Sequence, residues 1–216
     1  ASDGHNFGAY KAEPAGTPKG GVVVIQEIFG VNSHIREVAD GYAAAGYLAI
    51  APALFDRGKP GVELGYVPDD IAIGRDLAFP MGWEKPILDI GAAATVAAAG
   101  GKVGAVGYCW GGSLAYLAAC KLGIQCAVGY YGGQITKILE ADPSAKPKVP
   151  TILHFGERDA GIPMDMVEAV RSENPTVPIH IYDADHGFNC DHRGSYDEAS
   201  ARGALERTLA FFAENL

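Results

Sequence analysis

The sequence predicts a single α/β domain in which a mostly parallel sheet is covered by helices on both faces. Three observations carry that reading. Short apolar runs rich in β-branched residues alternate with longer helical patterns, the rhythm of strand–helix–strand units. Several of the runs are apolar on both faces, as central strands of a parallel sheet must be. The chain has 216 residues, of which 48% are hydrophobic and 20% charged, enough for one sizeable core and unlike a disordered chain.

Taken in order, the strands are Val22 to Ile25, Tyr47 to Ala51 closed by Pro52, Val103 to Val106, Ala127 to Tyr130, Thr151 to Phe155 and Ile179 to Tyr182. The first helix, Ile35 to Ala45, places Ile35, Val38, Ala39 and Tyr42 on one face, with Asn32 or Ser33 as cap and Gly46 as stop. Pro86 to Ala99 opens with a proline, which suits a first helical turn. Ser113 to Leu122, Pro163 to Arg171 and Ser195 to Asn215 complete the set. The segment 55–85 breaks the rhythm with Pro60, Pro68 and Pro80. It is expected to form an irregular rim over a site, with no large lid domain; an excursion holding a short helix is the alternative. The whole chain, 1–216, reads as one domain.

A net charge of −9 disfavours nucleic-acid and anionic-membrane partners, which attract basic faces. No apolar run approaches the roughly 18–20 residues of a membrane span, and Ala1 to Tyr10 lacks the basic-then-apolar pattern of a secretory signal. Four cysteines are too few for a disulfide framework. Cys120 and Cys126, in apolar surroundings, are expected to be buried free thiols, and a cytoplasmic location is expected. The sequence does not fix the assembly beyond a monomer or small homo-oligomer.

The strongest local signal is Gly107-Tyr108-Cys109-Trp110-Gly111-Gly112, between the strand ending at Val106 and the helix opening at Ser113. A nucleophile elbow presents its side chain from a tight strand-to-helix turn of this kind, with glycines two before and two after, as in an α/β-hydrolase fold. A cysteine there gains from the helix N-terminus, whose amides and dipole favour the thiolate. The Trp110 amide would supply half of an oxyanion hole. No two glycines stand two apart, and neither Gly58-Lys59 nor Gly101-Lys102 is followed by Ser or Thr. The dinucleotide and Walker fingerprints are therefore absent, and no cofactor is expected.

In this fold the acid and then the base follow the nucleophile. Asp159 lies just past the fifth predicted strand and His186 just past the sixth, both at the carboxyl edge of the sheet. The imidazole would take the thiol proton and later activate water; the carboxylate would fix its tautomer. Asp183 and Asp185 are competing acids, and Asp159 also suits a cap for the helix after Pro163. His154 and His180 lie in strands and His5 in the terminal tail; His154 reads as a satisfied core residue. Cys190, Asp191 and His192 lack a second ligand pair at usual metal spacing, so no metal is expected.

With these pieces the chain resembles the dienelactone hydrolase family over almost its whole length. The resemblance rests on Gln26-Glu27-Ile28-Phe29-Gly30-Val31-Asn32, Ile35-Arg36-Glu37-Val38-Ala39-Asp40, the Cys109 elbow, Gly129-Tyr130-Tyr131-Gly132, Asp159-Ala160-Gly161-Ile162-Pro163 and His186-Gly187-Phe188. It implies opening of a small lactone or ester of the dienelactone-to-maleylacetate type through a Cys109–His186–Asp159 triad. It implies that Glu27 contacts the resting thiol until substrate displaces it, a nearby carboxylate disfavouring the thiolate; a loop glutamate paired with an arginine is the alternative. The Ile28 amide would complete the oxyanion hole. The family holds its substrate's carboxylate with arginines, one of them four residues after the catalytic histidine, where this chain has Cys190. Arg75, with Arg57 and Arg193 as further candidates, is expected to take that part, and Tyr131 and Phe188 are assigned to the substrate pocket. The competing classes are a neutral-ester hydrolase with a changed acyl pocket, a thiol redox sensor and a non-catalytic binding module.

Overall fold

In the computed structural model, which describes residues 1–216, seven strands form one sheet. They are β1 (Ala9–Ala12), β2 (Gly21–Ile25), β3 (Leu48–Pro52), β4 (Val103–Tyr108), β5 (Cys126–Tyr130), β6 (Thr151–Gly156) and β7 (Ile179–Tyr182), in the spatial order β1-β3-β2-β4-β5-β6-β7. Only β1 is antiparallel, paired with β3 from Ala9 opposite Pro52 to Ala12 opposite Ala49. Every residue of β2 through β6 is buried, which explains why these strands read as continuous apolar runs. Residues α1 (Ser33–Ala44) and α7 (Glu198–Asn215) cover one face, where Tyr42 meets Phe212 edge-on at 5.9 Å. On the other face α3 (Glu84–Ala97), α4 (Trp110–Lys121), α5 (Ile135–Ala141) and α6 (Met164–Glu173) pack in succession.

The chain leaves β2 for β3 on one side and returns to β4 on the other, so the sheet has its switch point between β2 and β4. Crevices outside the carboxyl ends of strands at such a point are where α/β proteins bind ligands. The loops after β2 and β4 carry Glu27 and Cys109.

The expectation for 55–85 needs correction. Rather than irregular chain, this stretch contains the helix α2 (Pro68–Ala78), flanked by 3₁₀ turns at Leu54–Arg57 and Phe79–Met81. Pro68 begins the helix, Asp69 and Asp70 occupy its first turn and Arg75 its last, an arrangement matched to the helix dipole. No separate lid domain is present. Two more boundaries shift for local reasons. Asn32 caps α1, its Oδ1 accepting from the Ile35 amide at 3.2 Å. α7 starts at Glu198 rather than Ser195 because Asp197 accepts from the Ser200 amide at 2.8 Å. No helix is long and apolar enough to cross a membrane.

The turn from β4 into α4 is where the backbone has least freedom. Cys109 sits there with φ 55° and ψ −116°, a region that costs a non-glycine residue on the order of 1–3 kcal/mol. A Cβ on Gly107 would collide with the Gly111 carbonyl, and one on Gly111 with the carbonyls of Ile25 and Gln26. Gly107→Ala is therefore expected to destabilise the protein by about 3 kcal/mol or more in denaturant unfolding, since backbone cannot yield as a side chain can. Gly123→Ala, where nothing lies within 4 Å, should change stability by no more than about 0.5 kcal/mol. Equal effects at the two positions would contradict this account of the turn.

Candidate active site

Three residues from three strand ends meet at the carboxyl edge. Cys109 follows β4 directly, Asp159 comes three residues after β6, and His186 four residues after β7. His186 Nδ1 donates to Asp159 Oδ2 at 2.6 Å, and His186 Nε2 lies 3.2 Å from Cys109 Sγ. Asp159 is buried, and its other oxygen accepts from the amides of Gly161 and Ile162 at 2.8 and 3.1 Å. It thus organises its own turn and the imidazole together. The competing acids do not reach the ring. Asp183 pairs with Arg158 at 3.0 Å, and Asp185 accepts from the His186 amide at 2.7 Å.

The electrostatics favour a charged imidazole. Burial pushes His186 down, but Cys109 and the hydrogen bond to Asp159 outweigh it and raise its pKa to about 10. The Cys109 amide donates to the Tyr130 carbonyl at 3.0 Å, tying the elbow to β5.

The cavity around Cys109 measures about 310 Å³, and Ile28, Phe29, Trp110, Ile162, Arg75 and Arg193 are among its lining residues. The amide of Ile28 donates to no protein group. That of Trp110, the first residue of α4, has no intrahelical acceptor. The loop carrying Ile28 is held from the rim segment: the Leu54 amide donates to Gln26 Oε1 at 3.0 Å, and the Leu64 amide to the Phe29 carbonyl at 2.9 Å.

Glu27 is fully buried, and no hydrogen bond joins it to Cys109. Its Oε1 faces Arg193 Nη1 at 3.5 Å instead, so in this state the thiol belongs to His186 and the paired-glutamate alternative describes Glu27. Arg193 also lies over the rings of Phe29 and Tyr66, at 5.8 and 5.6 Å. Burial opposes its charge, yet Glu27 and Cys109 hold its pKa above the ordinary value. Gly187, at φ 79°, makes room: a Cβ there would stand 2.5 Å from Arg193 Nη1.

The structure sorts the remaining expectations. Arg75, exposed on α2, lines the cavity and forms no ion pair. Arg57 is committed elsewhere, with Nε and Nη2 on buried Asp89 at 2.6 and 2.7 Å and Nη1 on Asp3 at 2.7 Å. Tyr131 and Phe188 are corrected: both are fully buried behind the base and do not line the cavity. Tyr131 packs edge-on to His186 at 5.1 Å and Phe188 packs on Tyr131 at 5.3 Å, so they brace the imidazole. Cys190 is buried and burial pushes its thiol up to about 12. His154 is a satisfied core residue, between Tyr182 Oη at 2.8 Å and Thr208 Oγ1 at 3.3 Å.

Comparison with known proteins places the chain in a family. A model of the dienelactone hydrolase family matches residues 7–216. The chain is 36% identical to a carboxymethylenebutenolidase of Pseudomonas putida, covering 98% of this chain and 92% of that protein. It is also 36% identical to a putative carboxymethylenebutenolidase of Synechocystis, covering 96% and 91%. Among solved structures, a putative dienelactone hydrolase from Klebsiella pneumoniae superposes with a TM-score of 0.84 at 33% identity, covering 98% of this chain and 94% of that one.

Because the His186 pKa is raised, the imidazolium persists through neutral pH and is lost only as pH climbs through about 10. With His186 Nε2 3.2 Å from Sγ, alkylation of Cys109 by iodoacetamide at pH 7 should depend on that imidazole. His186→Ala should slow that reaction at least about tenfold, the loss of one partner of a charge pair being worth over 1.4 kcal/mol. Alkylation indifferent to His186→Ala would show that no such pair forms.

Proposed function

We propose, on the premise that this chain belongs to the dienelactone hydrolase family, that it hydrolyses a small lactone or ester bearing a carboxylate through a thioester on Cys109. The observation that carries the reading is the 3.2 Å approach of His186 Nε2 to Cys109 Sγ, inside a cavity that also holds Arg75 and Arg193.

The chemistry follows from the groups present. The Cys109 thiolate attacks the carbonyl carbon, and the carbonyl oxygen becomes an oxyanion accepting from the Ile28 and Trp110 amides. Collapse breaks the bond to the leaving oxygen, which takes the Nε2 proton of His186. The now neutral imidazole takes a proton from water, and the hydroxide attacks the thioester. A second collapse expels the thiolate and releases the acid, restoring the thiolate–imidazolium pair. Asp159 stabilises the imidazolium throughout and keeps Nε2 aimed at the reacting atoms.

Arg193 takes the part of the arginine that Cys190 replaces. It comes from three residues further along the same loop, and its guanidinium suits a carboxylate in a bidentate pairing. Arg75 supplies a second cation from the rim. Glu27, held at 3.5 Å by the Arg193 guanidinium, is kept from Sγ, where a carboxylate would disfavour the thiolate. The second reading, hydrolysis of neutral esters, is favoured by Cys190 and by the apolar lining of Ile28, Phe29, Ile71, Phe79 and Ile162. A redox role fits less well, because burial pushes the Cys120, Cys126 and Cys190 thiols each up to about 12, leaving no resolving thiolate at neutral pH.

The two hydrolytic readings separate in one assay that pairs a carboxylate-bearing dienelactone with its neutral methyl ester. Cys109→Ala should reduce turnover of both by at least about 10³-fold. Arg75→Met, which leaves the Glu27–Arg193 pair intact, should lower kcat/KM for the anionic lactone by roughly 10-fold, the scale of a lost charged hydrogen bond, and spare the neutral ester. Equal losses on both, or wild-type preference for the neutral ester, would sink the anionic-substrate reading and leave the neutral one.

A further inference from the structure

A second cluster of chemistry-bearing side chains stands beside the catalytic pocket. His34 and Glu37 lie three residues apart on α1 and so share a face. Asp191 and His192 are adjacent on the loop that follows His186. One donor atom from each of the four lies within 4.8 Å of every other. His34 Nδ1 is 3.2 Å from Asp191 Oδ1; His192 Nε2 is 3.0 Å from Glu37 Oε2 and 3.8 Å from Asp191 Oδ1. Four ligands around one ion at about 2.0–2.2 Å would stand about 3.3–3.6 Å apart, so only small side-chain movements separate this cluster from a coordination shell.

His192 Nε2 stands against both carboxylates, where a cation relieves their repulsion. Simple ion pairing leaves His34 half used. His34 is only 3% exposed, and its Nε2 has no hydrogen-bond partner; neither does Oε2 of the fully buried Glu27. Donor atoms of Glu27 and His34 again fall within 4.8 Å, together with Cys190. His34 therefore reaches from the outer cluster, through Nδ1, to a buried carboxylate on its other side. A metal-binding histidine commonly has one nitrogen on the ion and a carboxylate near the other, and Glu27 lies within 4.8 Å of His34.

We propose that His34, Glu37, Asp191 and His192 bind a divalent transition-metal ion of the zinc class, with Glu27 as the carboxylate behind His34. Two imidazoles and two carboxylates suit zinc or its neighbours and not calcium or magnesium, which take oxygen-only shells. Glu37 and Asp191 are each 57% exposed, so the ion enters from solvent. Asp191 and His192 lie on the stretch between His186 and Arg193. A bound ion would fasten that stretch to α1 and would act on Glu27 through His34, coupling metal availability to the catalytic loop. The sequence hid this site because Asp191 and His34 are 157 residues apart.

The test uses the full chain carrying Cys109→Ser, which removes the catalytic thiol as a rival ligand, dialysed against ZnCl₂ with the bound metal quantified. The expected result is one zinc per chain. His192→Ala and Glu37→Gln, both at solvent-facing positions, should each weaken binding by at least about tenfold, the loss seen even for outer-shell partners, with the metal-free melting temperature unchanged. His34→Ala should weaken it at least as much. Failure to retain stoichiometric zinc overturns the proposal, as does zinc retained with unchanged affinity by both the His192→Ala and Glu37→Gln proteins.

Discussion

Cys109 stands at φ 55°, and much of the site depends on the turn that holds it there. The strand β4 ends one residue earlier and α4 starts one residue later, so the side chain has nowhere to go but outward from the carboxyl edge. The turn is so close that Gly107 and Gly111 face each other and the β2 loop through bare backbone. That proximity has a functional result. It brings Trp110, the first residue of α4, and Ile28 to the same cavity as Cys109. A residue less constrained would relax out of the left-handed region and lose that juxtaposition.

The second constraint is the burial of Glu27. A carboxylate with no exposed surface must be paired, and its cationic partner is Arg193, carried by the loop that also bears His186. The pairing therefore links the loop after β2, which offers the Ile28 amide, to the loop after β7, which offers the base. Gly187 permits it by leaving space for the guanidinium. A donor atom of Glu27 also lies within 4.8 Å of one on His34, which adjoins the outer cluster on α1. Tyr131 and Phe188 stiffen the same loop from within by packing behind His186.

How much of this was legible in the sequence follows from what each element depends on. Strands β2 to β6 were plain because both faces are buried, and the triad was plain because each member follows a strand end in a fixed order. The edge strand β1 was missed: four residues, AYKA, of which only Ala12 is buried, carry no apolar run. α5 was missed because seven residues scarcely make two turns. The helix α2 did leave a signal, Pro68 followed by two aspartates and closed by an arginine, but the flanking Pro60 and Pro80 broke the pattern. Arg193, the partner of Glu27, was named only as one candidate arginine among three. Its position follows from the turn at Gly187, and a loop path is not encoded in residue spacing. The orientation of Glu27 and the meeting of α1 with Asp191 and His192 are likewise tertiary facts with no local trace.

The central claim is that a covalent acyl group resides on Cys109 during turnover. Intact-protein mass spectrometry after rapid acid quench of a reaction with an activated acetate ester tests it directly, with peptide mapping to locate the adduct. The account predicts one acetyl group per chain, on the peptide containing Cys109, removed by neutral hydroxylamine as a thioester is. Steady-state hydrolysis with no acylated protein when deacylation is rate-limiting, or an adduct on any residue other than Cys109, would contradict it.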